Sequence, residues 1–332
     1  MVRYNYSMQK VKIAYFGAPA FAADVLRSII EDKDLPVEVS LVVTQPDRPV
    51  GRKQIIAPTP VKLLAQKHNI PIFDDLSLIA NHPNHQSLKD IDLAFVYAYG
   101  EFIPKEMLSL PRWGFWNIHP SLLPKYRGAS PIAYPLLLGD TKTGVSLIQM
   151  DERLDHGPII DQETYEIQKS DTRELLENRL SEIGYKLFKK NIQILLDGKI
   201  QKKEQKDQDV TFTRLLTKQD GFIPYADFQK IVKNEPLTKD EIPPIISEYF
   251  AKYKIPSTFD LPAGKAGFRL LTFDLFRALS PWPGIWTLIP LKDGKKRLKI
   301  TKMELRGEVP TITHVQLEGK KEVDIETFKR AY

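Results

Sequence analysis

Residues 92–99 read DLAFVYAY. Both alternating faces of this stretch are largely apolar, which is the pattern of a strand buried on both sides in a parallel sheet rather than half-solvated in an antiparallel one. Outward from it, Val11 to Gly17 (VKIAYFG) is a second apolar strand, and Ala20 to Glu31 carries apolar residues at helical spacing. Val37 to Thr44 is the next strand, then come a polar loop, a helix around Val61 to Lys67, a short strand at Ile70 to Phe73, and Phe115 to His119. Strands alternating with helices predict an α/β fold: a Rossmann-like, doubly wound, mostly parallel sheet that binds ligands at the carboxyl ends of its strands. The first strand-to-helix turn, Gly17-Ala18-Pro19-Ala20-Phe21, lacks the Gly-x-Gly-x-x-Gly spacing. Without the second glycine the backbone cannot approach a pyrophosphate, which argues against a nicotinamide enzyme.

The chemistry is concentrated in residues 116–157, WNIHPSLLPKYRGASPIAYPLLLGDTKTGVSLIQMDERLDHG. Asn117 and His119, two apart on a strand, project from one face. Ser130 reads as a helix N-cap, Pro131 as the first helical residue and Gly139 as the stop. Val145 to Met150 and Ile159 to Ile167 read as strands, with Asp155 in their connection. An amide, an imidazole and a carboxylate are what acyl transfer to an amine requires. The tetrahedral intermediate needs donors where its oxyanion develops, and an amine with a pKa near 7.7 to 8.0 needs a modest base. A carboxylate beside an imidazole fixes its tautomer and favours its protonated form. No covalent intermediate and no metal is called for.

An Asn-x-His spacing alone occurs by chance in many chains, but the longer string is more specific. Asn-Ile-His-Pro-Ser-Leu-Leu-Pro, Arg127 to Ile132, Thr143-Gly144-Val145, Gln149-Met150-Asp151 and Leu154-Asp155-His156-Gly157 together resemble the formyltransferases that use 10-formyltetrahydrofolate. Arg127 to Ile132 with Thr44-Gln45-Pro46-Asp47-Arg48-Pro49 resembles the branch of that family acting on the methionine carried by initiator tRNA. The resemblance covers residues 11 to 220, resumes at Ala278 to Pro283, and then loosens. It implies Asn117, His119 and Asp155 as catalytic residues, with Asn117 polarising the formyl oxygen, His119 stabilising the oxyanion and handling a proton, and Asp155 orienting the imidazole. It implies a folate-contacting segment at Ser121, Leu122, Leu123 and Pro124, with Tyr97 and Gly100 walling the pocket. It further implies that Gln45 to Pro60 meets the tRNA acceptor end through Arg48, Arg52 and Lys53; because Lys53, Gln54, Ile55 and Ile56 stand where relatives are often more basic, packing is expected to count for more than charge. His156 stands where the family more often has Thr.

Length and composition are compatible with this. A chain of 332 residues has room for two domains, and 42% hydrophobic with 27% charged residues suits globular cores. The absence of cysteine rules out disulfides, thiolate zinc sites and a Cys nucleophile. No apolar run approaches the length of a membrane span and no signal-peptide core is evident, so a soluble cytoplasmic protein with no membrane contact is expected; a monomer is expected as well. Of the net charge of +6, the segment Phe268 to Tyr332, with 13 Lys plus Arg against 8 Asp plus Glu, carries +5. Such local excess is the footprint of a surface that meets phosphate, although scattered charges are more often simply solvated.

The expected organisation is a catalytic domain over 1–200, a linker over 201–220, and a carboxy-terminal domain over 221–332 with an insertion at about 222–268. Asp171 to Glu174 reads as a capping box opening a long helix that Gly198 stops. Lys199 to Thr211 is polar and poor in core residues, and so reads as a tether. Beyond Trp286, short strands with Lys295, Lys296, Arg297 and Lys299 predict a small OB-like barrel placed to bind tRNA. Two other readings remain open: a small-molecule N-formyltransferase acting on a glycinamide ribonucleotide or an amino sugar, and a non-catalytic RNA-binding protein.

Overall fold

A computed structural model describes residues 10–51, 54–80, 88–233, 235, 241, 243–253, 266–307 and 309–332. The chain divides into two compact units, one built from Met1–Ala129, Thr143–Tyr165 and Glu177–Phe212, the other from Ser130–Lys142, Glu166–Leu176 and Thr213–Tyr332. In chain order the first elements are β1 (Val11–Gly17), α1 (Ala20–Glu31), β2 (Val37–Val43), β3 (Arg48–Val50), β4 (Ile55–Ala57), α2 (Pro60–Lys67), β5 (Ile72–Phe73) and α3 (Leu76–Ala80). Then follow β6 (Leu93–Tyr97), α4 (Lys105–Leu108), β7 (Phe115–His119), β8 (Arg127–Gly128), α5 (Ala133–Leu137), β9 (Lys142–Gln149), β10 (Ile159–Glu166), α6 (Arg173–Leu196) and β11 (Phe212–Thr213).

The first unit is organised around a seven-stranded sheet of order β10-β9-β7-β6-β1-β2-β5. β1 is parallel to β2 and β6, β6 to β7, and β2 to β5. β9 runs antiparallel to β7, so the sheet is mixed at that edge. As the 92–99 pattern requires, every residue of β6 is buried. One face is covered by α6: the Phe95 and Phe188 rings lie 4.0 Å apart and the Tyr97 hydroxyl meets Ser181 at 2.8 Å. Gly184 makes this possible, since a Cβ there would lie 2.8 Å from Ile118 Cδ1. The opposite face is filled by Phe16, Leu41, Val43, Val96, Met107 and Phe115. Asn117 and His119, alternating with Ile118, therefore emerge on the side away from α6.

α6 is also tied to the end of α1. Asp32, which caps α1, accepts from Lys189 and Tyr185. Lys189, and after it Tyr185, hold its carboxyl at about 2, below the usual 3.8. A carboxylate depressed in the folded state contributes stability above its unfolded value and loses that contribution as pH falls through its folded value. Asp32→Asn is therefore expected to lower the melting temperature at pH 7 and to have a much smaller effect near pH 2, as thermal unfolding at the two pH values will show.

The second unit contains α5, α7 (Tyr225–Val232), α8 (Pro244–Tyr253), α9 (Ala266–Leu279), β12 (Trp286–Leu291), β13 (Gly294–Arg306), β14 (Val309–Leu317), β15 (Glu322–Asp324) and α10 (Ile325–Ala331). Its sheet is a four-stranded antiparallel meander, β12-β13-β14-β15, so the small β domain is present as an open sheet among the described residues. Leu298, Ile300, Ile289 and Val315 are buried in it. The stretch read as an insertion supplies α7 and α8, and its described prolines, Pro224, Pro243 and Pro244, fall at or just before the starts of helices, where a missing N–H is tolerated. α5 starts later than predicted, at Ala133, with the Ser130 carbonyl accepting from Ala133 and Tyr134. Thr172, one residue past the predicted cap, accepts from Leu175 at the start of α6. Among the described residues no helix is long and apolar enough to cross a membrane.

Candidate active site

β7 ends at the carboxyl edge of the parallel strands and delivers Asn117 and His119 there. Asn117 is partly exposed, and among the described residues its amide has no hydrogen-bond partner. His119 is 4% exposed. Its Nε2 lies 2.9 Å from the Tyr126 carbonyl, and its Nδ1 lies 3.5 Å from Asp155 Oδ1. A carbonyl can only accept, so Nε2 carries a hydrogen and Nδ1 is the basic atom of the neutral ring. That basic atom faces the Asp155 carboxylate. The amide, imidazole and carboxylate predicted from sequence therefore lie within one small region of the first unit. His119 thus has Nε2 on the Tyr126 carbonyl and Nδ1 facing Asp155, which leaves the Asn117 amide as the uncommitted hydrogen-bonding group of the three.

Asp155 is positioned from several directions. Its Oδ2 accepts from Gly128 N at 2.7 Å, and its backbone sits at φ 48, in the left-handed region. Gln205 donates to the carbonyls of Asp155 and Gly157 at 2.9 and 2.8 Å. Gln205 Oε1 in turn accepts from Arg127 Nε and Nη2 at 3.0 and 2.7 Å. Arg127 is nearly buried, and burial pulls its guanidinium below the ordinary value against the nearby Asp207 and Asp155. His156 turns aside from Asp155 and pairs with Asp151 at 2.6 Å.

The other expected site residues divide. Ser121 is fully buried and donates to the Lys125 carbonyl, and Leu123 packs with Ile148 and Ile159 while its N–H meets Ser146. Leu122 and Pro124 remain partly exposed, while all four backbone carbonyls of Ser121 to Pro124 already accept hydrogen bonds within the protein. Tyr97 does not wall a pocket: its side chain points into the α6-covered core, and burial raises its hydroxyl pKa strongly. Gly100 has φ 80 and lies against Gln45, which donates to the Tyr99 carbonyl.

The loop 45–60 is a hairpin of β3 and β4 rather than an irregular connection. It exposes Val50, Ile55 and Ile56 at 58%, 63% and 69%. Arg48 pairs with Glu101 at 3.1 Å, while Arg52 and Lys53 lie outside the described residues. Beside the hairpin is a cavity of about 300 Å³ lined by Pro19, Gln45, Arg48, Val50, Thr59 and Ala98, at the ends of β1, β2 and β6. Asn117, His119 and Asp155 do not line it.

In the second unit Lys295 is exposed, Lys296 pairs with Asp293, and Arg297 and Lys299 share the outer face of β13. Lys299 departs from its expected role. It donates to the Pro281 carbonyl at 2.8 Å, and burial, followed by the nearby Arg297 charge, lowers its pKa.

Three comparisons bear on this geometry. A family model described as Formyl transferase matches residues 10–192. A methionyl-tRNA formyltransferase of Bacillus cytotoxicus is 40% identical over 225 residues, covering 68% of this chain and 71% of that protein. The protein of the same name in Bacillus cereus (strain B4264) is 41% identical over 203 residues, covering 61% and 64%. Matches of this extent span about two thirds of the relatives' own lengths. Among solved structures, the sugar 3N-formyl transferase WlaRD has a TM-score of 0.55 at 18% identity, covering 94% of this chain and 99% of that one. A 4-N formyltransferase from Francisella tularensis has the same TM-score and identity over 90% and 100%. At such identity the two solved structures are similar in fold.

Proposed function

The chain belongs to the formyl transferase family, and we propose that it transfers a formyl group from 10-formyltetrahydrofolate to the α-amine of methionine carried by initiator tRNA. The observation that carries this reading is the convergence of the unpartnered Asn117 amide with the His119–Asp155 pair, 3.5 Å apart, at the carboxyl edge of the sheet. 10-Formyltetrahydrofolate supplies an activated N-formyl group with a stable amine as leaving group. The methionyl nitrogen forms a bond to the formyl carbon, and the bond from that carbon to the folate nitrogen breaks. One proton passes from the attacking to the leaving nitrogen. Asn117 donates to the formyl oxygen as it becomes an oxyanion. The amine's proton passes to the His119–Asp155 pair, which holds it until it moves on to the leaving nitrogen.

The RNA partner is supported by the relatives and by two surfaces: the apolar β3–β4 hairpin, and the Lys295, Arg297 face of β13. The decisive assay offers purified protein and labelled formyl folate with methionyl-tRNA, a glycinamide ribonucleotide and an amino sugar nucleotide in parallel. Transfer to the charged tRNA alone is the expected result, and transfer to a small amine alone would replace this reading.

The hairpin gives its own prediction. Burying two isoleucines against RNA is worth roughly 1 to 2 kcal/mol, given partial burial at about 25 cal/mol per Å², or about tenfold in affinity. The double variant Ile55→Asp, Ile56→Asp is expected to raise KM for charged tRNA about tenfold and leave KM for the folate unchanged. An unchanged tRNA KM would show that RNA does not cover the hairpin.

A further inference from the structure

The polar stretch after α6 carries no core residues, yet it runs past both partners of His119. Lys203 exchanges two backbone hydrogen bonds of 2.8 Å with Ile159 at the start of β10. At the other end, Thr211 Oγ1 accepts from Tyr126 N at 2.9 Å, its carbonyl accepts from Arg127 N at 2.9 Å, and its N–H donates to the Pro124 carbonyl. Between these anchors Gln205 reaches the loop that carries Asp155, fifty positions earlier in the chain. One short segment thus holds the residue whose carbonyl fixes the His119 tautomer and the residue whose carboxylate faces the opposite ring nitrogen.

We infer that Gln205 is a positioning residue for the transfer, acting through Asp155, and that Arg127 sets the direction in which its amide works. A primary amide has two hydrogens and one oxygen with two lone pairs. At Gln205 all are used: the hydrogens go to the Asp155 and Gly157 carbonyls, and the oxygen receives two N–H groups of Arg127. Turning the amide over would set its NH2 against the guanidinium and its oxygen against two carbonyls, a mismatch at every contact. The nearly buried arginine therefore selects a single orientation. That orientation holds the carbonyls of Asp155 and Gly157, two residues apart, where Asp155 adopts a left-handed backbone that most residues with a Cβ avoid. With the backbone fixed, the carboxylate has one place to go, between Gly128 N and His119 Nδ1. Nothing in the assignment requires Gln205 to touch either substrate.

The inference rests on Asp155 serving the transfer reaction, and the test separates the two. Formyl transfer to methionyl-tRNA is measured for the unmodified protein, Asp155→Asn, Gln205→Met, Gln205→Glu and the double variant Asp155→Asn, Gln205→Met. Gln205→Met is expected to lower kcat roughly 10- to 100-fold, with KM for the folate changed less than about twofold, because the substrate contacts are untouched. In the Asp155→Asn background the same change is expected to cost less than about threefold, since a residue acting through the carboxylate has nothing left to position. Gln205→Glu retains a partner for Arg127 but has no hydrogens for the two carbonyls. It is therefore expected to melt close to the unmodified protein and still lose kcat, which decides the matter if the methionine variant folds poorly. Full kcat in Gln205→Glu, or additive losses in the double variant, would overturn the inference. A failure of the unmodified protein to formylate charged tRNA, or of Asp155→Asn to slow it, would instead remove the functional reading beneath it.

Discussion

Asn117→Ala is expected to lower kcat for formyl transfer by roughly 100- to 1,000-fold, the usual cost of deleting one oxyanion donor. Several features of the site place this residue at the top of the range. Both nitrogens of His119 are directed at Tyr126 and Asp155, so no second side-chain donor of the trio is free to take over the oxyanion. The Asn117 amide has no partner among the described residues, so its removal leaves no protein group unsatisfied. It extends from a strand whose backbone is paired on both sides, with Val96 and with Ile148, so the fold has little reason to change. The expected pattern is a large fall in kcat, nearly unchanged KM values and a melting temperature within a few degrees of the unmodified protein. Asn117→Asp separates shape from donation, since it keeps the size but places negative charge beside a developing oxyanion and should be at least as slow. Near-normal turnover in Asn117→Ala would mean that the formyl oxygen is held elsewhere.

What the sequence made legible was whatever depends on local periodicity. The apolar strands at Val11, Val37 and Leu93 and the helix at Ala20 follow from the spacing of their side chains, and the structure places them within a residue or two of where that spacing predicts. Asn117 and His119 share a face because two residues on a strand always do. What escaped the sequence depends on partners far along the chain. Tyr97 ends a strand near the expected site, but only the arrival of Ser181 on α6 settles that its ring belongs to the core. The β3–β4 hairpin was obscured by Pro49 and by charged residues that mark a loop; its pairing of Arg48 with Ala57 and Val50 with Ile55 depends on the left-handed turn at Gly51 and Gln54. Gln205 lies in a stretch that reads as a solvated tether, since Lys, Glu, Gln and Asp crowd around it. Its role comes from four hydrogen bonds to residues 48 to 78 positions away, for which a single sequence has no signal.

Asp155→Asn bears most directly on the proposed proton path. Asparagine is nearly the same shape and can still accept from Gly128 N, so the loop and its left-handed turn are retained. What changes is the group facing His119 Nδ1: a carboxylate that attracts a proton there becomes an amide that donates to the bare nitrogen. The Tyr126 carbonyl still requires a hydrogen on Nε2, so the neutral ring keeps its tautomer and simply becomes a poorer base. The expected loss in kcat is about 100- to 1,000-fold, below the 10⁴-fold cost of the comparable change in a Ser-His-Asp triad, because here the amine supplies its own nucleophile. The pH profile is the sharper readout. Without an effective base, the variant depends on amine already deprotonated in solution. Its rate should therefore rise with pH through the ordinary α-amine range near 8, more steeply than that of the unmodified protein. Raising the pH should then recover part of the loss, and KM for the folate should stay within about twofold. A variant whose rate falls equally at every pH would place the base elsewhere and leave Asp155 with a structural role only.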